Sequence, residues 1–452
     1  MKKAKFLLIA LMCAFVFSAC SGGGSNTGNA GNKGSDGAAS NANTGGASSD
    51  KQVTLKFMGW EASPLETAAV KKGLESFMEQ HPNIKVEYQP VPGGAQYAQK
   101  ILTMLAGNAA PDVFFLGATE YRSFEQRDVL LDLTPMFNNE MTLGDFIPSS
   151  AKIMEIDGNI YGVSSCTVSP VLYYNKDIFD KAQIPYPPSN PAEAWTWDEF
   201  RDAAMKLTVK DGNKVSQYGA FGLENFYMTT AEIYSNGGQV FNEDGTKMAV
   251  NTPEAKKVMQ SILDLRLKDG ATPTAKTLES IGMKPNQMLQ TGKVAMVIDG
   301  SWALQELATM GFPVGVAPLP SFLEAKTHGQ AHVHAASAKT EHPAEAWELI
   351  KFLSSEEYQV ELIKEGLWMP NRKSLYTEEG IAKWYNEAVH PEGFKEMVTF
   401  FADAEAYPFT LITKNIVNDI ITEETDKLWY AGQSVDDTMK NIETRANAEL
   451  AK

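Results

Sequence analysis

Five short stretches near the amino-terminal end decide the fold: VTLKFM (53–58), PLETAAVKKGLESFMEQ (64–80), IKVEY (84–88), YAQKILTML (97–105) and DVFFL (112–116). The first, third and fifth are apolar runs of strand length. The second carries Leu65, Ala69, Leu74 and Phe77 at helical spacing, and the fourth is a helix ending near Gly107. Strand, helix, strand, helix, strand is the grammar of βαβ units, so the class is α/β with a parallel or mixed sheet covered on both faces.

Later segments obey the same grammar. Helices are expected over 197–207, 253–268 and 343–353, and a strand over 293–298. Thr196 followed three residues later by Glu199 reads as a capping box for the helix that starts there, and PPSNP at 187–191 as the turn leading into it. With about 400 residues beyond position 50, two domains of ordinary size are expected.

The amino-terminal end is of another kind. Lys2, Lys3 and Lys5 precede an apolar run over 6–17, then Ser18, Ala19 and Cys20. Twelve apolar residues rising 1.5 Å each reach roughly 18 Å, short of the roughly 30 Å hydrocarbon core, so this is a secretory leader (1–19) and not a span. The string FSAC resembles the lipobox of bacterial lipoproteins, which makes Cys20 the expected acylated residue and new terminus. Residues 21–50 hold only small and polar residues, one Lys and two Asp among them, so 20–50 reads as a tether with about 30 Å of reach. Cys13 leaves with the leader and Cys20 is acylated, which leaves Cys166 without a disulfide partner. The formal net charge is −16 and falls by three more with the leader's lysines. Such a surface repels phosphate backbones, so no nucleic-acid partner is expected, and the ligand should be neutral or cationic.

Along the folded part, HPNIKVE (81–87), AGNAAPDV (106–113), DGNIYGV (157–163), YYNKDIF (173–179), WTWDEF (195–200), SNGG (235–238), GKVAM (292–296) with DGSW (299–302), PAEAWELIKFL (343–353) and GLWMP (366–370) follow in order. In these segments the chain resembles the family 1 extracellular solute-binding proteins, the group of the maltose and oligosaccharide receptors. The resemblance implies a two-lobe, type II periplasmic-binding-protein-like fold, with a ligand cleft between the lobes and three hinge crossings near 164–170, 332–336 and 367–371. One lobe would hold 51–165 plus 335–368, the other 170–331 plus 370–452. It also implies a sugar or oligosaccharide ligand, delivery to ABC permease subunits, a monomer held on the outer face of the cell membrane, and no cofactor.

Sugar recognition needs flat aromatic faces and side chains that grip hydroxyls. At strand ends, where open α/β sheets bind ligands, stand Trp60 and Glu61, then Thr119 and Glu120. Glu224, Asn225, Phe226 and Tyr227 match a segment where the family sets an acid beside aromatics, and Trp302 matches a stacking position. Tyr407 and Phe409 match a late stacking position, Trp368 lies at the third crossing, and His334 is a ligand or hinge contact. For each of these, plain packing or a solvated face is the alternative. The cluster His328, His332, His334 and His342 has no placed carboxylate or Cys beside it, so no metal site is expected. A tethered carbohydrate sensor is the first rival reading. A glycoside hydrolase with paired acids is the second, although no nucleophile motif occurs and no catalytic residue is assigned.

Overall fold

Ser63 opens the first long helix: its Oγ accepts from the Glu66 amide at 3.1 Å, and Pro64 fills the first helical position, where no donor is needed. The helix Pro64–Gln80 buries Val70, Leu74 and Phe77. Leu65, counted on this face in the sequence, is 50% exposed, because the buried face runs through Glu66, Thr67, Val70, Leu74 and Phe77 and passes beside it. The computed structural model describes residues 52–452, apart from 62, 94, 108, 213, 409–413 and 415. The expectations for the leader, Cys20, the tether and Phe409 fall outside these residues.

Among the described residues thirteen strands occur: β1 (Val53–Glu61), β2 (Ile84–Pro92), β3 (Val113–Leu116), β4 (Glu155–Ile156), β5 (Asn159–Ile160), β6 (Gly162–Val168), β7 (Pro170–Asn175), β8 (Val209–Asp211), β9 (Lys214–Phe221), β10 (Val294–Gly300), β11 (Val314–Ala317), β12 (His328–Ala336) and β13 (Glu405–Ala406). One sheet has the order β13-β12-β3-β1-β2, with β6 also paired to β12; the other runs β11-β7-β10-β9-β8. β1 is parallel to β2 and β3, while β12 is antiparallel to β3 and β6, so the first sheet is mixed. β10 is parallel to β9 and antiparallel to β7.

Both faces are covered at the centre of each sheet, while the edge strands β2 and β8 leave side chains such as Lys85 and Lys210 exposed. On β7, Val171 and Tyr173 enter one core and Leu172 and Tyr174 another, as the two-residue period of a strand requires. The first sheet has its own core around Phe57, Phe77, Phe114 and Trp347. The described residues beyond position 50 are therefore an α/β molecule of two lobes, each built on one sheet.

The two sheets exchange strands at a narrow waist. Ser169 is the single residue between β6 of one sheet and β7 of the other. Its carbonyl accepts from Ser301 N at 2.8 Å. Met369 pairs with Thr167 through both backbone groups, and Asn371 Nδ2 donates to the Ser164 carbonyl. β12 pairs with β13 at His328 and Gly329 and with β6 from Gln330 onward, so the strand lies in the first sheet from its first residue, ahead of the crossing expected near 332–336.

The capping box is present: Thr196 N donates to Glu199 Oε2 at 2.8 Å and Glu199 N to Thr196 Oγ1 at 3.3 Å. Thr196→Ala should lower stability by about 1 kcal/mol in urea unfolding and leave the far-UV spectrum unchanged. A loss well under half of that would mean the helix Trp197–Leu207 is held by packing alone. No helix among the described residues is long and apolar enough to cross a membrane.

Candidate functional site

The C-terminal ends of β1 and β3 form one wall. Tyr97 ties them together: its hydroxyl donates to the Met58 carbonyl at 2.9 Å and accepts from Phe115 N at 3.2 Å. Over this joint sits Trp60, half-buried, with Tyr97 at 6.0 Å, Phe115 edge-on at 6.4 Å and His332 edge-on at 6.0 Å. Phe115 is sandwiched, with the His332 ring parallel at 5.1 Å and Trp368 at 5.9 Å. Trp60, Phe115, His332 and Trp368 thus form one aromatic slab drawn from β1, β3, β12 and the third crossing.

Around the slab the candidates part company. Glu120, in the first turn of the helix Ala118–Glu125, is largely covered, and burial pushes its carboxyl above the usual range. Glu61 accepts from Thr67 Oγ1 at 2.9 Å and so is engaged with the start of the helix Pro64–Gln80. His334 is 2% exposed and wedged against Phe57 and Phe115, deeper along β12 than His332. Of Thr119 only the helical backbone is described.

The ends of β9 and β10 form the second wall. Gly222 follows β9 at φ +117°, a conformation side chains avoid, and a Cβ there would lie 2.0 Å from the Ile298 carbonyl oxygen. That turn aims Glu224 at two donors, Gly222 N at 3.1 Å and the Arg266 guanidinium at 3.4 Å. Asn225 caps the helix Phe226–Ser235 by accepting from Tyr227 N, and Phe226 is buried in the second core. Tyr227 donates to the Val168 carbonyl at 3.2 Å, reaching across to β6, and groups with His328 (4.5 Å), Tyr407 (4.8 Å) and Trp302 (5.8 Å). Trp302 is 40% exposed beside this group. Asp299, just before it, is pushed up to about 6 by burial, opposed by the Gly300 amide it accepts from.

A cavity of about 460 Å³ opens at these strand ends, lined among others by Glu224, Asn225, Asp299, Arg266, Trp429 and Tyr430. A larger groove of about 770 Å³ lies elsewhere, between the helices Pro64–Gln80 and Glu356–Lys364, and is walled by charged side chains such as Lys72, Glu357 and Glu361. Its aromatic lining is Phe352 and Tyr358, both buried in the first core. Asp299 stands in the string DGSW, but nothing in that string gives it a role. Nothing local in the helix Pro253–Leu267 marks Arg266 as the partner of Glu224. Depth along a strand, which separates His332 from His334, is not written in the alternation. Among the described residues no three His, Cys, Asp or Glu side chains converge as a metal-binding group.

Two α/β lobes that each present aromatics and carboxylates at strand ends, flanking a three-segment waist, make a binding receptor. The chain belongs to the bacterial extracellular solute-binding proteins, whose family model matches residues 61–360. Among curated relatives, a lipoprotein of Streptomyces antibioticus is 29% identical over 332 residues, covering 72% of this chain and 71% of that one. The sn-glycerol-3-phosphate-binding periplasmic protein of Rhizobium meliloti is 26% identical over 316 residues, covering 65% and 69%. Among solved structures, an ABC substrate-binding protein of Listeria monocytogenes in complex with cycloalternan superposes with a TM-score of 0.76 at 23% identity, covering 89% of this chain and all of that one.

Proposed function

We propose that the protein captures a neutral carbohydrate, a disaccharide or longer, between its two strand-end walls and delivers it to ABC permease subunits. The observation that carries this reading is the pairing of flat aromatic surface on both walls, Trp60 with Phe115 and Trp368, and Trp302 with Tyr227 and Tyr407, each beside carboxyl groups. Stacked rings and acids are what sugar C–H faces and hydroxyls need. The cycloalternan complex of the Listeria relative in fold is consistent with it. In this reading the lobes divide near 165–170, between β11 and β12, and near 368–370. The lobes close when a ligand favours the closed form, and no bond is broken. The acyl group on Cys20 would hold a monomer on the outer face of the membrane; the Streptomyces relative is itself named a lipoprotein.

A glycerol phosphate is the second reading, favoured by the relative in Rhizobium and by Arg266, whose Nη1 is buried without a partner. Against it stands Glu224, which already balances that charge. A thermal-shift panel of gluco-, galacto- and xylo-oligosaccharides together with sn-glycerol 3-phosphate separates the two. A ligand at 100 times its Kd stabilises by about 2.7 kcal/mol. A shift with the phosphate ester alone would overturn the carbohydrate reading. With the sugar that binds, Trp302→Ala should weaken affinity about threefold to tenfold at unchanged melting temperature, the worth of one stacking face. Unchanged affinity would remove Trp302 from the site.

A further inference from the structure

β12 carries His328, Gln330, His332 and His334 on one face, and Gly329, Ala331, Val333 and Ala335 on the other. The second face is closed by the helix Pro148–Met154, whose Ser149 hydroxyl lies 2.6 Å from where a Cβ on Gly329 would be. A strand covered on both faces should be apolar on both, so four polar residues in a row need an account. The two outer ones are enclosed by packing, although the Nδ1 of each, like that of His332, is buried without a partner. His328 is fully buried and donates through Nε2 to the Tyr227 carbonyl at 2.8 Å, and His334 is wedged between aromatic rings. The two middle ones, Gln330 and His332, are only partly covered.

His332 stands where the aromatic slab meets the start of the helix Ala118–Glu125. Its ring lies flat on Phe115 and edge-on to Trp60, yet its Nδ1 is buried and has no partner within the protein. Gly117 explains what comes near it. A Cβ there would sit 2.8 Å from Glu120 Oε2 and 3.9 Å from His332 Cδ2, so the missing methyl lets carboxyl and imidazole share one space. An imidazole offers one donor and one acceptor, a carboxyl group accepts at two oxygens, and the amide of Gln330 does both.

We propose that His332, with Glu120 and Gln330, is the polar floor of the first wall and reads a pair of adjacent hydroxyls on the sugar ring that stacks there. This rests on the carbohydrate reading above. A site built to hydrogen-bond a hydroxyl rejects the analogue lacking it, because its own buried polar atoms are then left unpaired. The three side chains therefore set which sugars are admitted, while Trp60 and Trp368 supply the stacking surface.

The test is titration calorimetry of the chain against the oligosaccharide panel, then of H332A and H332Q against the sugar that binds and its monodeoxy analogues. The wild type should lose about tenfold on one analogue. H332A should bind the parent sugar about tenfold more weakly and that analogue no more weakly than the parent. H332Q, which keeps a donor and an acceptor, should fall in between, and it carries the test if H332A does not fold. Affinities within about twofold of wild type for both variants, or the same discrimination among analogues in variant and wild type, would overturn the assignment. If the wild type binds no sugar of the panel, the carbohydrate reading itself fails and this inference falls with it.

Discussion

Replacing His328 and His334 together by glutamine is expected to remove about 4 kcal/mol of acid sensitivity between pH 7 and pH 5. Both rings are buried, and burial pulls His328 down to about 4 and His334 to about 3; the neighbouring His332 adds to the pull on His334. In the unfolded chain a histidine takes its proton near pH 6.5. Below that pH the unfolded state binds protons that the folded state refuses. Stability is therefore lost as pH falls from about 6.5 toward the folded values, at about 2 kcal/mol per ring by pH 5.

Carboxyl groups act in the other direction. Asp299 is pushed up to about 6, and Glu232, which is fully buried with neither oxygen partnered, is pushed well above its ordinary range by burial. Both gain stability as they become neutral on acidification. The wild-type profile is thus a sum of opposing slopes, and only the comparison isolates the histidines. Urea unfolding at pH 7, 6 and 5 gives it: the wild type should lose about 4 kcal/mol more than the double variant over this range. Parallel profiles would mean that the rings are protonated in the folded protein, which would refute their burial as neutral groups.

Arg266→Ala should cost about 3 to 5 kcal/mol. The guanidinium is pinned by Nε and Nη2, which donate to the Pro273 carbonyl at 3.1 and 2.8 Å, and it lies 5.9 Å from the Trp429 ring and 5.8 Å from that of Tyr430. Its removal leaves the Glu224 carboxylate, nearly as buried, with the Gly222 amide as its remaining donor. Most of the loss is that stranded charge. Arg266→Met combined with Glu224→Gln should therefore recover more than half of it, whereas Arg266→Lys keeps the charge but not the fork and should recover less. Urea unfolding of the four proteins decides this. A loss below about 1 kcal/mol for Arg266→Ala would show that water already serves both groups.

The sequence made the elements legible wherever one period dominated. The helices Pro64–Gln80, Trp197–Leu207 and Pro343–Leu353 have the expected bounds, because caps and prolines punctuate them. β1 outruns its expected end by three residues, to Glu61, because Gly59 and Trp60 still pair with β2 although the apolar run stops at Met58. The strand-end positions of Trp60 and Trp302 were legible, because local pattern sets them. Arg266 and the contrast between His332 and His334 were not. The first depends on the turn after β9 meeting a helix residue 42 positions further along the chain, and the second on how far into the sheet each ring reaches.

With Ser169 alone between β6 and β7, the residues on either side are fixed in separate ladders, and the backbone freedom at that point shrinks to one pair of torsions. Such a joint would work as a pivot with long arms: a rotation of a few degrees there would become a displacement of ångströms at the far ends of both sheets. An inserted residue would lengthen the pivot and let the arms twist as well as swing, so the distance between β6 and β7 should tolerate change less than any surface loop of this chain.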